Sequence, residues 1–390
     1  MGNQKLIVNK AGWKRLSKGH PWVFSDDLAD TPEMGKGEIV ALHDSFGKFL
    51  GRGFYNPQSR IAFRLITRRD EPLTRDYWKN KLEIAIQYRD ALDLDGTARR
   101  IIYSEADGFP GLIVDQYNDC LCLQILSLGM ESLRNMLIDL LREAFSPSAM
   151  VARNDAPVRK LEGLSEEKGV IYGHLPEELM VRERDLLFHV NLLEGQKTGA
   201  YLDQRDNHLF LRSYAEGRRV LDAFCYDGGF ALHLMKAGAR EVVAIDSSRL
   251  ALEHVASNAL LNNLGTIETR KSNCFDALKA MARDGERFDL IVVDPPPFAR
   301  RKSDLSSALR AYKEINLRAI QCLNPGGLLF TCCCSHGVSH DLFSSTIAEA
   351  AGRARRDLIL LEERLQPPDH PILFNEPESL YLKGLLFRCL

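Results

Sequence analysis

Between Val220 and Asp294, short apolar runs with an aspartate at or near their ends alternate with helical stretches. Val220-Leu221-Asp222-Ala223-Phe224, Val242-Val243-Ala244-Ile245-Asp246 and Leu290-Ile291-Val292-Val293-Asp294 read as strands. Residues 231–237 and 248–261 read as helices. Repeated alternation of this kind folds as an α/β, mainly parallel, doubly wound sheet, because each helix crosses over before the next strand starts in the same direction. Ligands of such sheets bind beyond the carboxyl ends of the strands, near the point where strand order reverses.

The residues expected at that edge narrow the ligand. The first strand runs into Asp222-Ala223-Phe224-Cys225-Tyr226-Asp227-Gly228-Gly229-Phe230. Gly228 and Gly229 let the backbone turn tightly and approach a ligand. Asp246 ends the second strand, 24 residues after Asp222. A carboxylate there accepts hydrogen bonds from both hydroxyls of a ribose. The turn is not GxGxxG, which disfavours a nicotinamide dinucleotide, and no GxxxxGK[ST] P-loop is present. S-adenosylmethionine has no phosphates to cradle, so a looser glycine turn suffices. Its sulfonium and amino group favour carboxylates such as Asp222 or Asp227.

The rest of the chain divides by pattern. A chain of 390 residues suggests two or three domains. We expect a small β-rich domain over 1–70, a central α+β domain over 71–191 and the Rossmann-like domain over 192–390. In the first, 38–42 and 61–66 read as strands among frequent glycines. In the second, strands at 111–115, 120–125, 150–153 and 186–190 flank a helix at 131–145. No apolar run approaches membrane-spanning length, and Met1-Gly2-Asn3-Gln4-Lys5 lacks the apolar core of a signal peptide. We therefore expect a cytoplasmic protein with no membrane partner.

Charge and cysteine usage fit that expectation. The net charge is −2, yet the first 75 residues hold 13 Lys and Arg against 8 Asp and Glu. A basic opening segment on a near-neutral chain hints at a phosphate-binding module. The nine cysteines are odd in number and form no CxxC pair, so neither a disulfide framework nor a zinc site is indicated. Cys120 and Cys122 lie in an alternating apolar run and read as core. His336 and His340 are four apart, as on one helix face, but lack the metalloprotease glutamate. We expect no metal.

Several longer segments together are specific. These are Glu194-Gly195-Gln196-Lys197-Thr198-Gly199-Ala200-Tyr201-Leu202-Asp203-Gln204-Arg205, the stretch from Asp222 to Phe230, Asp294-Pro295-Pro296-Pro297-Phe298 and Pro325-Gly326-Gly327. They resemble a bacterial family of PUA-domain-containing 23S ribosomal RNA cytosine-5 methyltransferases of the class I, S-adenosylmethionine-dependent type. Gly19-His20-Pro21-Trp22-Val23-Phe24 and Phe49-Leu50-Gly51-Arg52-Gly53-Phe54-Tyr55-Asn56-Pro57 look like that family's PUA domain. The resemblance covers essentially the whole chain. It implies that Asp222, Phe224, Tyr226 and Gly228 line the methionine end of the cofactor. Asp246 and Ser247 would hold the ribose, and Asn273 and Phe275 the adenine. Lys197 to Arg205, with Gln204 and Arg205, would border the cofactor and the target base, beside Asp294. The family often has Asp at the position of Asn273 and Thr at that of Asp227. Dimerisation is common in the family and is implied on that ground.

The implied chemistry needs a thiol. Carbon 5 of cytosine is not nucleophilic until a thiolate adds to carbon 6, which is nucleophilic covalent catalysis. Leu328-Leu329-Phe330-Thr331-Cys332-Cys333-Cys334-Ser335-His336 reads as a strand ending at the site. Cys334 stands at the family's Ser-Cys-Ser position and is the expected nucleophile, with Cys332 the alternative. Asp294 would orient the base as the second catalytic residue, and His336 is a candidate for proton transfer. The target base must be flipped or single-stranded. Lys197, Arg52, Arg60 and Arg64 are candidate RNA phosphate contacts. Two rival readings stay open. One is an RNA methyltransferase acting on a base nitrogen; the other is a non-catalytic RNA-binding ribosome-assembly factor.

Overall fold

The computed structural model describes residues 5–30, 32, 35–299 and 302–390. Residues 1–4, on which the signal-peptide expectation rests, lie outside them. Compactness divides the chain into two units. The first unit takes in residues 1–182, 190–202 and 368–379; the second takes in 183–189, 203–367 and 380–390.

The first unit holds two five-stranded sheets. Strands β1 (Leu6–Ile7), β2 (Trp22–Val23), β3 (Ile39–His43), β4 (Phe49–Tyr55) and β5 (Phe63–Thr67) pair in the order β1-β3-β4-β5-β2. Leu6, Val23, Leu42, Tyr55 and Phe63 fill their core. Gly53 is required where β4 meets β5, because a Cβ would sit 2.1 Å from the carbonyl oxygen of Arg64.

Strands β6 (Ala98–Tyr103), β7 (Leu112–Tyr117), β8 (Cys120–Ile125), β9 (Ala149–Asn154) and β10 (Glu167–Gly173) form the second sheet, in the order β10-β9-β8-β7-β6. Trp78 and Leu82 of the helix Arg75–Asp90 and Leu137, Leu140 and Leu141 of the helix Arg134–Phe145 pack into its core. Cys120 and Cys122 are buried there, as packing residues. β11 (Met180–Glu183) and β12 (Leu186–His189) form a separate two-stranded sheet.

Buried charge ties the first unit together. Arg100 grips Asp115 in a two-pronged pair at 2.7 and 2.8 Å, and Thr198 donates to the same carboxylate at 2.6 Å. Asp369, fully buried, accepts the Arg100 backbone N–H at 3.0 Å. Arg100→Met would strand the fully buried Asp115 without its cation. We expect a loss of about 3–5 kcal/mol in urea unfolding.

The second unit is one seven-stranded sheet. Its strands are β13 (Arg219–Ala223), β14 (Glu241–Asp246), β15 (Glu268–Lys271), β16 (Phe288–Val293), β17 (Leu323–Cys333), β18 (Leu358–Arg364) and β19 (Lys383–Cys389). Their order is β15-β14-β13-β16-β17-β19-β18. The first five are parallel, and β19 runs antiparallel to both its neighbours. Val220, Leu221, Val243, Leu290, Ile291 and Leu329 are all fully buried, as expected of strands covered on both faces. Strand order reverses at β13 and β16, so the crevice falls beyond Ala223 and Val293.

Candidate cofactor and catalytic site

The loop after β13 is bent against its own preferences. Phe224 and Tyr226 have φ of +66° and +48°, left-handed values that non-glycine residues rarely adopt. The N–H groups of Phe224 and Cys225 both donate to the carbonyl of Ile245 at 3.0 Å. Gly228 follows at φ +89°, where a Cβ would lie 2.4 Å from Leu232. Strain concentrated in one loop at a sheet's switch point is characteristic of a ligand-binding site.

Carboxylates surround this loop. Asp222 is buried; its Oδ2 accepts the Ala231 N–H at 3.0 Å, while its Oδ1 has no hydrogen-bond partner among the described residues. Burial pushes its pKa up to about 7. Asp227 is likewise pushed by burial to about 6. Asp246 accepts the N–H groups of Tyr226 at 3.1 Å and Ser248 at 2.8 Å, so its carboxylate is fixed at the end of β14. Ser247 is exposed beside it. Asn273 caps the helix Cys274–Asp284, its Oδ1 accepting from Phe275 N–H at 2.9 Å. Asn273 itself is exposed. Phe275 sits edge-on to Phe224 at 6.4 Å and near Phe298 at 5.7 Å. Phe298, part of the Asp294-Pro295-Pro296-Pro297-Phe298 segment, thus joins this aromatic wall, which no sequence spacing signals.

The catalytic candidates converge on the ends of β16 and β17. Asp294 follows β16 and accepts from Gln204 Nε2 at 2.9 Å. Gln204 is buried, and its own Oε1 accepts from Asn207 at 2.6 Å. Arg205 is also buried, 3.5 Å from Asp206. Cys334 follows β17, and its Sγ lies 3.5 Å from the carbonyl oxygen of Pro295. Among the described residues it is the one cysteine that is not buried. Cys332 is fully buried within β17, where burial and the nearby Asp294 push its thiol far above the usual range. Cys333 is buried too, and burial raises its thiol. Lys383, which the sequence did not single out, donates to the carbonyls of Ser335 at 3.3 Å and Val338 at 2.7 Å, fixing the loop behind Cys334.

The histidines are placed differently from the helical spacing. His336 lies in an exposed turn before the helix His340–Ala354 and stacks on Tyr381 at 5.5 Å, so His336 and His340 share no helix face.

The arginine candidates of the first unit separate. Arg64 is buried and pairs with Glu105 at 2.7 Å and Glu162 at 3.1 Å, a core ion pair rather than a phosphate grip. Arg52 pairs with Asp70 at 2.6 Å. Arg60 is exposed, 5.8 Å above the Phe24 ring. Lys197 is half-buried, its ammonium 4.4 Å from the Tyr201 ring centre.

A reversed-order parallel sheet, a strained glycine loop and an acidic second strand end define a doubly wound enzyme that binds a nucleoside cofactor. The family model described as S-adenosylmethionine-dependent methyltransferase matches residues 168–388, and the chain belongs to that family. A PUA-like domain model matches residues 6–68. The chain is 42% identical over 395 residues to "Ribosomal RNA large subunit methyltransferase I" of Tolumonas auensis, covering 99% of each protein. It is 40% identical over 393 residues to the like-named protein of Serratia proteamaculans, covering 98% of this chain and 99% of that one. Among solved structures, a SAM-dependent methyltransferase from Streptococcus mutans has the same fold. Its TM-score is 0.85 at 21% identity, over 98% of this chain and 99% of that one. A methyltransferase crystallised with SAH superposes with a TM-score of 0.87 at 22% identity, over the same shares of the two chains.

The cofactor is S-adenosylmethionine, and the residues present fit it. Among the described residues the buried Asp222 Oδ1 has no hydrogen-bond partner, which leaves it open to the cofactor's ammonium.

Proposed function

We propose that this enzyme forms 5-methylcytosine in large-subunit ribosomal RNA through a covalent adduct of Cys334. The substrate class rests on relatives named for large-subunit ribosomal RNA that match over nearly their whole length. The mechanism rests chiefly on one observation: a partly exposed thiol held 3.5 Å from the Pro295 carbonyl of the Asp294-Pro295-Pro296 segment.

In this reading, bound S-adenosylmethionine supplies an electrophilic methyl group. Asp222, Phe224, Tyr226 and Gly228 hold its methionine end, Asp246 and Ser247 its ribose, and Asn273 and Phe275 its adenine. Asp294, held by Gln204, orients the target cytosine. The Cys334 thiolate adds to carbon 6, and carbon 5 becomes nucleophilic and takes the methyl. Loss of the carbon 5 proton then expels the thiolate and restores the ring. Arg52, Arg60 and Lys197 would contact RNA phosphates, which position the substrate without reading its sequence. Arg64 is left out because its charge is already matched inside the fold.

Dimerisation, implied by the resemblance, would use the outer edge of the sheet. β18 is an edge strand whose Ile359, Leu360 and Leu361 are exposed. Such an edge is a template for a second copy of the same strand. Among the described residues no helix is long and apolar enough to cross a membrane. We place the enzyme in the cytoplasm, where ribosomal RNA is made.

The test uses ribosomal RNA tritiated at cytosine carbon 5, taken from cells lacking the enzyme. Release of tritium in step with methyl incorporation is the expected result. Incorporation without release would mean that a base nitrogen accepts the methyl. Cofactor binding with neither would leave a ribosome-assembly factor.

A further inference from the structure

Beneath the glycine loop runs a chain of polar groups that nothing so far has used. His208, on the helix Arg205–Leu211, is buried. Its ring packs directly under the turn, so that a Cβ on Gly229 would lie 2.5 Å from its Cε1. It also meets the Phe230 ring edge-on at 4.5 Å. Its Nδ1 lies 2.8 Å from Oε1 of Glu183. The same oxygen is 2.9 Å from Nε2 of His233, which is fully buried in the helix Gly229–Lys236. Nδ1 of His233 accepts from Arg212 Nε at 2.8 Å, and Arg212 pairs with Asp185 at 2.6 Å.

The protons in this chain can be assigned. Arginine only donates, so Nδ1 of His233 is an acceptor and its Nε2 carries the hydrogen. Nε2 lies 2.9 Å from Glu183 Oε1 but out of line for a hydrogen bond, and burial holds His233 away from its charged form. Burial pushes Glu183 up, but His208 and His233 outweigh it and hold the carboxylate well below its usual range. Burial pulls His208 down, but Glu183, Asp227 and Asp222 outweigh it and raise its pKa. Glu183, 2.8 Å from Nδ1, together with Asp227 and Asp222 thus favours the charged form of His208.

The ligand atoms of Glu183, His208 and His233 lie within 4.8 Å of one another, a spacing that would also suit a metal ion. A metal on Nε2 of His233 needs Nδ1 to donate to an outer partner. Here Nδ1 accepts from a guanidinium, so the set reads as a proton-sharing chain.

We propose that His208, kept cationic by Glu183, is a positioning residue for S-adenosylmethionine. Its charge keeps Asp222 ionised toward the cofactor's ammonium, and its ring supports the turn at Gly228 and Gly229. This rests on the reading that Asp222 receives the ammonium. Asp222 also faces Asp294 and Asp246, which raise its pKa, and the His208 charge counters them. With Asp222 at about 7 and Asp227 at about 6, both take up protons as the pH falls through neutrality. Cofactor affinity falls with them. Removing the His208 charge moves that fall to higher pH.

The experiment is calorimetric titration of the full-length protein with S-adenosylmethionine from about pH 6 to about pH 9. Wild type should release protons on binding near pH 6.5, read from the dependence of heat on buffer. His208→Gln, and the isosteric Glu183→Gln in case the first variant folds poorly, should bind about tenfold more weakly near pH 7 and recover toward wild type near pH 9. Weakening by one constant factor across the range would mark a merely structural role and overturn the proposal. So would stoichiometric zinc in the purified protein. Unchanged binding by Asp222→Asn would instead sink the reading of Asp222 on which the proposal stands.

Discussion

Cys334→Ala is expected to lower methyl transfer by at least about a thousandfold, because it removes the thiol we propose as the nucleophile that makes carbon 5 reactive. Cofactor affinity should stay as it was, since Cys334 lies at the end of β17 and takes no part in the loop after β13. The geometry makes the loss specific. The loop behind the thiol is pinned by Lys383 and by Ser335, whose hydroxyl lies 3.0 Å from that of Tyr312 and 3.2 Å from the Ala299 N–H. Removing one sulfur therefore leaves its surroundings in place. Cys332→Ala is the matched comparison and should retain turnover, because its thiol is sealed inside the strand. Single-turnover tritium release separates the two variants. Equal loss in both, or none in Cys334→Ala, would refute the assignment.

Asp222→Asn carries the second largest effect, and it acts in two directions. Binding of S-adenosylmethionine should weaken about a hundredfold, because a charge-assisted bond to the ammonium is replaced by an amide. The unliganded protein should become more stable. The sign follows from burial: Asp222 stands at about 7 in the fold against an ordinary value of 3.8. The folded state thus holds a proton that the unfolded chain releases, and stability falls as pH rises from about 4 to about 7. Asparagine has no such proton to lose. Melting temperature at pH 8 with and without cofactor checks both halves, with the variant higher without cofactor and lower with it.

The sheet that carries the site was legible because it is local. β8 coincides with the apolar run 120–125, and the strands ending at Asp222, Asp246 and Asp294 fall within two residues of the expected bounds. Strands buried on both faces write themselves as uninterrupted apolar runs. What stayed hidden depends on partners distant in sequence. Arg64 reads as a basic surface residue until Glu105 and Glu162 fold over it, 41 and 98 residues away. Glu183, His208 and His233 come from a hairpin and two helices, and no local spacing joins them. The thiols show the same limit: Cys332, Cys333 and Cys334 are adjacent letters, yet the strand end separates two sealed sulfurs from one that is partly open.

The first unit is completed by residues 368–379, which return to it almost at the end of the chain. Asp369 there accepts the Arg100 N–H, and its carbonyl takes a hydrogen bond from the fully buried Arg89 at 2.8 Å. During synthesis those two arginines emerge more than two hundred residues before their partner. The N-terminal half therefore cannot finish folding as it leaves the ribosome, whereas most domains fold as units in order of synthesis. It waits until residues 368–379 have been made. Loss of everything from residue 368 onward would remove both the closing segment of one unit and β19, the strand that runs antiparallel to both its neighbours, of the other.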